Sequence, residues 1–208
     1  MEIIITYLGH ACFCLETGGY RTVLDPYHDG MVPGLPPLRV QADAVYCSHE
    51  HDDHNYRPAV ELSPKSQAAP YTVEELTVPH DGEQGRLRGM NTIRIFHYDG
   101  LRVAHLGDVG RLLTAEEQQK LAGVDCLMLP VGGFYTIDSC QARQTVEQLC
   151  PRVTIPMHYR TDKTGFPQLE RLEQFTGQCA PVRYLQERLT LDEDTPGGVA
   201  VLTPKVLL

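Results

Sequence analysis

Apolar and polar positions alternate along the first part of the chain with a period of two, the signature of half-buried strands. The runs Glu2–Leu8, Ala11–Glu16 and Tyr20–Leu24 are separated by glycines and predict a β-meander. Asp25-Pro26 ends the third run, and the Pro/Gly-rich stretch 27–37 predicts a long loop, of the kind that often borders a site. A further strand, Ala44–Ser48, leads straight into His49. Three more runs follow, Glu75–Val78, Asn91–Phe96 and Leu101–Leu106, the last two joined by an Asp99-Gly100 hairpin turn. Beyond them the pattern changes. Thr114-Ala115-Glu116-Glu117 opens a helix with a capping box, and Val124–Leu129 is a continuous apolar run that predicts a buried strand. Asp138 caps a helix reaching about Leu149 before Pro151, and Arg152–Ile155 is another strand, running up to His158.

At 208 residues and 42% hydrophobic content, one compact domain over 1–208 is expected, with no repeat or linker inside it. The formal charge of -9 repels a phosphate backbone, so nucleic acid is a poor partner and a small molecule the expected one. No apolar run approaches the ~18 residues of a membrane span, and the start lacks a basic, cleavable leader, so no membrane partner and a cytoplasmic location are expected. The seven cysteines are scattered without a Cys-x-x-Cys pair, which sets aside a disulfide framework or a structural zinc site.

The chemistry lies in His49-Glu50-His51-Asp52-Asp53-His54, which packs the pattern His-x-His-x-Asp-His into six residues after a strand. Alternate residues of an extended chain share a face, so His49 and His51 can reach one ion while the turn carries Asp53 and His54 toward a second. Such a cluster cannot complete two coordination shells. Further ligands are expected at later strand ends, where His80, Asp108 and His158 stand. Imidazole suits zinc, iron, nickel or copper, and carboxylate extends the choice to manganese.

With these residues and the segments Tyr7-Leu8-Gly9-His10-Ala11, Leu24-Asp25-Pro26, Leu129-Pro130-Val131-Gly132-Gly133 and Ile155-Pro156-Met157-His158-Tyr159, the chain resembles the metallo-β-lactamase superfamily. Within it, the similarity points to the branch of L-ascorbate-6-phosphate lactonase and related small metal-dependent hydrolases. The resemblance implies an α/β fold, a four-layer αββα sandwich with metals between the sheets at one edge. It implies two divalent ions, zinc first, with manganese, nickel or iron as alternatives. His49, His51 and His80 would hold one ion, Asp53, His54 and His158 the other, and Asp108 would bridge them. A metal-bridging hydroxide would then attack a small anionic ester, lactone or phosphodiester, with Asp53 as the catalytic carboxylate that orients or deprotonates it. His51 stands where the oxygen-reducing diiron branch carries glutamate, which favours hydrolysis. A metal-dependent redox enzyme and a metal-binding protein without catalysis are the alternatives on the same fold.

Polar residues near the ligands in sequence are candidates for substrate contact: His10, Tyr135, Tyr159 and Arg160, with Arg86, Arg88 and Lys163 nearby. His105, three residues before Asp108, should face the other side of its strand and serve packing, while His28 and His97 belong to the surface or the framework.

Overall fold

A computed structural model describes residues 1–63 and 68–205. The N-terminal meander forms as expected: β1 (Ile3–Gly9), β2 (Cys12–Thr17) and β3 (Tyr20–Leu24) pair antiparallel in turn. After the loop come β4 (Val40–Ala42), β5 (Ala44–Tyr46) and β6 (Val60–Leu62), and β5 joins β3 in parallel. Next are β7 (Thr72–Pro79), β8 (Met90–His97) and β9 (Arg102–His105), with β8 antiparallel to both neighbours. The remainder runs α1 (Ala115–Leu121), β10 (Cys126–Pro130), α2 (Ser139–Leu149), β11 (Val153–Met157), α3 (Leu172–Thr176), β12 (Val182–Leu185), β13 (Arg188–Leu191) and β14 (Gly198–Leu202). Thr114 and Asp138 both form capping boxes, satisfying amide groups that a helix start leaves without partners.

Two sheets result. The first has order β13-β1-β2-β3-β5 and the second β12-β14-β11-β10-β9-β8-β7. Their facing sides share one apolar core, with Ile3, Ile5 and Phe13 of the first meeting Phe96, Met128 and Ile155 of the second. The outer face of the second sheet carries the three helices, through Leu121, Ala142 and Phe175 against Leu106, Leu127 and Leu129. These layers build the expected sandwich of two facing sheets, with α-helices over the second. Its fourth layer departs from the helical expectation. Leu8, Cys12 and Val23 on the outer face of the first sheet are covered by Tyr27, Val32 and Leu38 of the long loop, by Ala59 of a 3-10 turn and by the β4–β6 pair. Among the described residues no helix is long and apolar enough to cross a membrane.

Strand direction positions the site. β1, β3 and β5 run the same way in the first sheet, and β7, β9 and β11 share a direction in the second. The residues after their C-terminal ends, His10, Asp25, His49, His80, Asp108 and His158, can therefore gather where the two sheets meet at one rim.

The inter-sheet core should dominate stability. Phe96 is fully buried, its ring 5.6 Å from Tyr46 and 5.1 Å from Tyr71 between centroids. Phe96→Ala is expected to cost about 3–5 kcal/mol in chemical denaturation, whereas truncating the exposed Leu62 should stay within about 0.5 kcal/mol. Equal losses for the two would contradict this core assignment.

Candidate metal centre

The strand ends deliver the ligand-type residues to one place. Nitrogens of His49, His51 and His80 lie within 4.8 Å of one another, and so do ligand atoms of His10, Asp53, His54 and His158. Asp108 joins the two groups. Its Oδ2 stands 3.3 Å from His54 Nε2, 3.4 Å from His80 Nε2 and 3.2 Å from His158 Nε2. Donors bound tetrahedrally at ~2.0–2.1 Å sit about 3.3–3.4 Å apart, so this spacing matches the edge of a coordination tetrahedron.

The buried polar atoms test whether a metal fits. His49 Nε2, His54 Nε2 and Asp108 Oδ1 are buried without a hydrogen-bond partner, and His80 and His158 each have an unpartnered buried Nδ1. Leaving one such atom unsatisfied costs roughly 1–3 kcal/mol, and His49, His54 and Asp108 hold ligand atoms within 4.8 Å of one another, which marks donors suited to a cation. Imidazole and carboxylate are also the donor types that divalent transition ions prefer.

What fixes these imidazoles is Asp25, a residue with no ligand role of its own. Its carboxylate is 1% exposed and accepts from the Ser48 amide at 2.7 Å, the Ser48 hydroxyl at 2.5 Å and His54 Nδ1 at 2.8 Å. Burial pushes the Asp25 carboxyl up, but His105, His54 and Ser48 outweigh it and leave it at about 2. An ionised carboxylate only accepts, so His54 Nδ1 carries a proton and Nε2 faces Asp108. Ser48 gives its hydroxyl proton to Asp25 and accepts from His49 Nδ1 at 2.9 Å, which sets the tautomer of His49 in the same way. Asn91 performs the equivalent task for Asp108, accepting the Asp108 amide at 2.8 Å while donating to the Leu106 carbonyl at 2.8 Å. Gly107, at φ +52, leaves room for both supports, since a Cβ there would collide with Asn91 Oδ1 and come within 2.6 Å of Ser48 Cβ.

The electrostatics follow from the crowding. Burial and the neighbouring His54 push His49 down to about 3, and burial with His158 pushes His10 down to about 4. Burial also works against a charged His54, but Asp108 and Asp53 raise it well above the usual range. Burial alone would raise Asp53, yet His54 and His10 hold it far below ordinary carboxylates.

The seven residues assigned to metal by sequence converge on this rim. The substrate candidates divide. Tyr135 lines a cavity of about 430 Å³ that opens on His51, Asp53, His80 and Asp108. His10 does not line it; it is 4% exposed and its Nε2 donates to Asp53 Oδ2 at 3.1 Å, so it holds Asp53 from behind. Tyr159 is also displaced: β11 ends at Met157, the chain passes through His158 at φ +53, and Tyr159 turns into the core beside Tyr7. Arg160 spends its Nε on the Leu169 carbonyl at 2.6 Å and is absent from the cavity wall. Arg88, which the sequence places shortly after His80, does line the wall, joined by Met31 and Phe166 from two other loops. His105 packs away from the centre as alternation requires, with Nε2 on the Ala11 carbonyl at 2.9 Å and Nδ1 accepting from Gly107 N at 3.2 Å.

The model of the beta-lactamase superfamily domain matches residues 4–158. The chain belongs to the metallo-β-lactamase superfamily. Within it, the chain is 31% identical over 205 residues to a UPF0173 metal-dependent hydrolase of Archaeoglobus fulgidus, covering 80% of this chain and 86% of that one. A relative of the same description from Korarchaeum cryptofilum is 26% identical, covering 84% and 90%. The structure is similar to that of a candidate Zn-dependent hydrolase of the metallo-β-lactamase superfamily from Thermotoga maritima, with a TM-score of 0.74, 30% identity, and coverage of 96% and 98%.

The Asp25 network yields a direct test. Asp25→Asn keeps the shape but places an amide donor against His54 and Ser48, moving the imidazole protons toward the centre. Metal affinity is expected to fall about 10–100-fold in a folded protein, whereas Leu62→Ala, at an exposed position of β6, should leave it unchanged. Titration with a competing chelator measures both, and undiminished affinity in Asp25→Asn would contradict the proton assignment.

Proposed function

We propose that the protein is a dinuclear metal-dependent hydrolase of a small anionic ester, lactone or phosphodiester, with zinc the first candidate ion and manganese, nickel or iron the alternatives. The observation that supports it most is the convergence of His54, His80 and His158 on one Asp108 oxygen, with buried donor atoms otherwise unpartnered around it. His49, His51 and His80 would hold one ion, Asp53, His54 and His158 the other, with Asp108 between them. Two divalent ions, when bound, supply Lewis acidity toward the substrate oxygen and lower the pKa of water at the site.

The chain's own residues would do the rest. Asp53 lines the cavity with its side chain 13% exposed, and His10 fixes its Oδ2 from the buried side. A carboxylate held this far below the usual range stays ionised at neutral pH. It is therefore suited to accept a hydrogen bond from the attacking water and to orient it. Asp25 and Ser48 keep His49 and His54 in one tautomer through turnover. Tyr135, Met31 and Phe166 form an apolar side wall that excludes water from the substrate's body.

The test is a panel of esters, lactones and phosphodiesters offered to protein reconstituted separately with zinc, manganese, nickel and iron. Turnover with at least one ion is expected, abolished by chelation and restored by readdition. Asp53→Asn should lower kcat about 10²-fold or more. Activity that survives exhaustive chelation, or none with any ion on any substrate, would refute this function.

A further inference from the structure

Arginines in this chain are paired almost without exception. Arg94 meets Glu75 at 2.8 Å, Arg111 meets Glu117 at 2.8 Å, Arg152 meets Asp125 at 3.0 Å, and Arg160 meets the Leu169 carbonyl. Arg88 alone has no carboxylate or carbonyl on its guanidinium among the described residues. Its guanidinium carbon lies 5.5 Å from the centroid of the Tyr135 ring, and its side chain lines the cavity beside the metal-ligating cluster. Cation–π contact steadies such a group but leaves its planar fork of N–H donors unused.

The backbone places this fork deliberately. Asp81, 2% exposed, accepts the amides of Glu83 at 2.7 Å, Gly85 at 2.9 Å, Leu87 at 2.9 Å and Arg88 at 2.8 Å. The loop closes where the His80 amide donates to the Gly89 carbonyl at 3.1 Å. One closed loop thus sets both a metal-ligating histidine and a free guanidinium on the same cavity.

The surroundings narrow what can bind. Met31, Tyr135 and Phe166 offer apolar contact, while Glu50 and Asp52 add exposed carboxylates to the same wall. A single guanidinium facing two carboxylates accommodates one negative charge better than two. We propose that Arg88 determines substrate specificity by gripping a carboxylate, bidentate, at one end of a substrate whose ester or lactone carbonyl reaches the His/Asp cluster. The proposal rests on the hydrolase reading and narrows its anionic substrate to a carboxylate with an apolar body.

The experiment compares mono-4-nitrophenyl glutarate, which carries a carboxylate, with neutral 4-nitrophenyl butyrate on the metal-loaded protein. The parent protein is expected to favour the glutarate at least tenfold in kcat/KM. In Arg88→Met this preference should fall about 10–150-fold, mainly through KM and with metal content intact. Arg86→Met serves as the control, since Arg86 is exposed and paired with Glu83 at 3.1 Å, and it should keep the preference. A preference unchanged in Arg88→Met overturns the proposal. If neither ester is hydrolysed, the hydrolase reading is what fails, and calorimetric titration with 3-phenylpropionate decides for Arg88. Binding at least tenfold weaker in Arg88→Met sustains the carboxylate grip, and equal binding removes it.

Discussion

One buried carboxylate decides how this centre can work. Asp25 accepts three hydrogen bonds, and two of them, one direct and one through Ser48, fix where the protons of His54 and His49 reside. Those two histidines each belong to one of the two larger ligand groups and meet each other in a third with Asp108, so a single side chain aligns both halves. A lone carboxylate buried this deeply would be expensive to ionise, and the three donors offset that penalty. Asp25 itself adopts φ +46, a conformation that side chains other than glycine seldom take. Such local strain persists only where surrounding contacts enforce it, and here the Ser48 and His54 bonds do so.

The sandwich exists, in effect, to bring six strand ends to one rim. An apolar core shared by two sheets holds the rims at a fixed separation, and close packing of its side chains leaves little freedom to slide. Asn91 and Gly107 then place Asp108 between the imidazoles, while His10 holds Asp53 from the far side. The outer layer on the first sheet tolerates a loop and a 3-10 turn because it need only cover apolar surface. That loop contributes Met31 to the cavity, so the irregular layer also shapes access.

Much of this was legible from residue order. Two-residue alternation located the meander, the Asp99-Gly100 turn joined β8 to β9, and Thr114 and Asp138 marked two helix starts. The His-x-His-x-Asp-His run and the three later strand ends named the residues that meet at the rim. The C-terminal strands went unread, although Arg188-Leu189-Thr190-Leu191 alternates and Gly198–Leu202 is an apolar run. Strands this short need a partner before their pattern means anything; β13 finds its partner in β1, far away in sequence, and β14 lies between β11 and β12. Proximity in sequence misled at Tyr159 and Arg160, because Tyr159 packs into the core and Arg160 donates to the Leu169 carbonyl instead of reaching the cavity. Asp25, Asn91 and Arg88 carried faint signals: a carboxylate at a strand end before proline, a buried amide opening a strand, and a basic residue in a glycine-bounded loop.

A dinuclear centre requires that the two ligand groups, joined by Asp108, each take an ion. The measurement is elemental analysis of protein reconstituted with excess divalent metal and freed of unbound ion, set against accurate protein concentration. Close to two ions per chain is the expected result. A stoichiometry that never exceeds one would contradict the dinuclear centre, however well its residues converge.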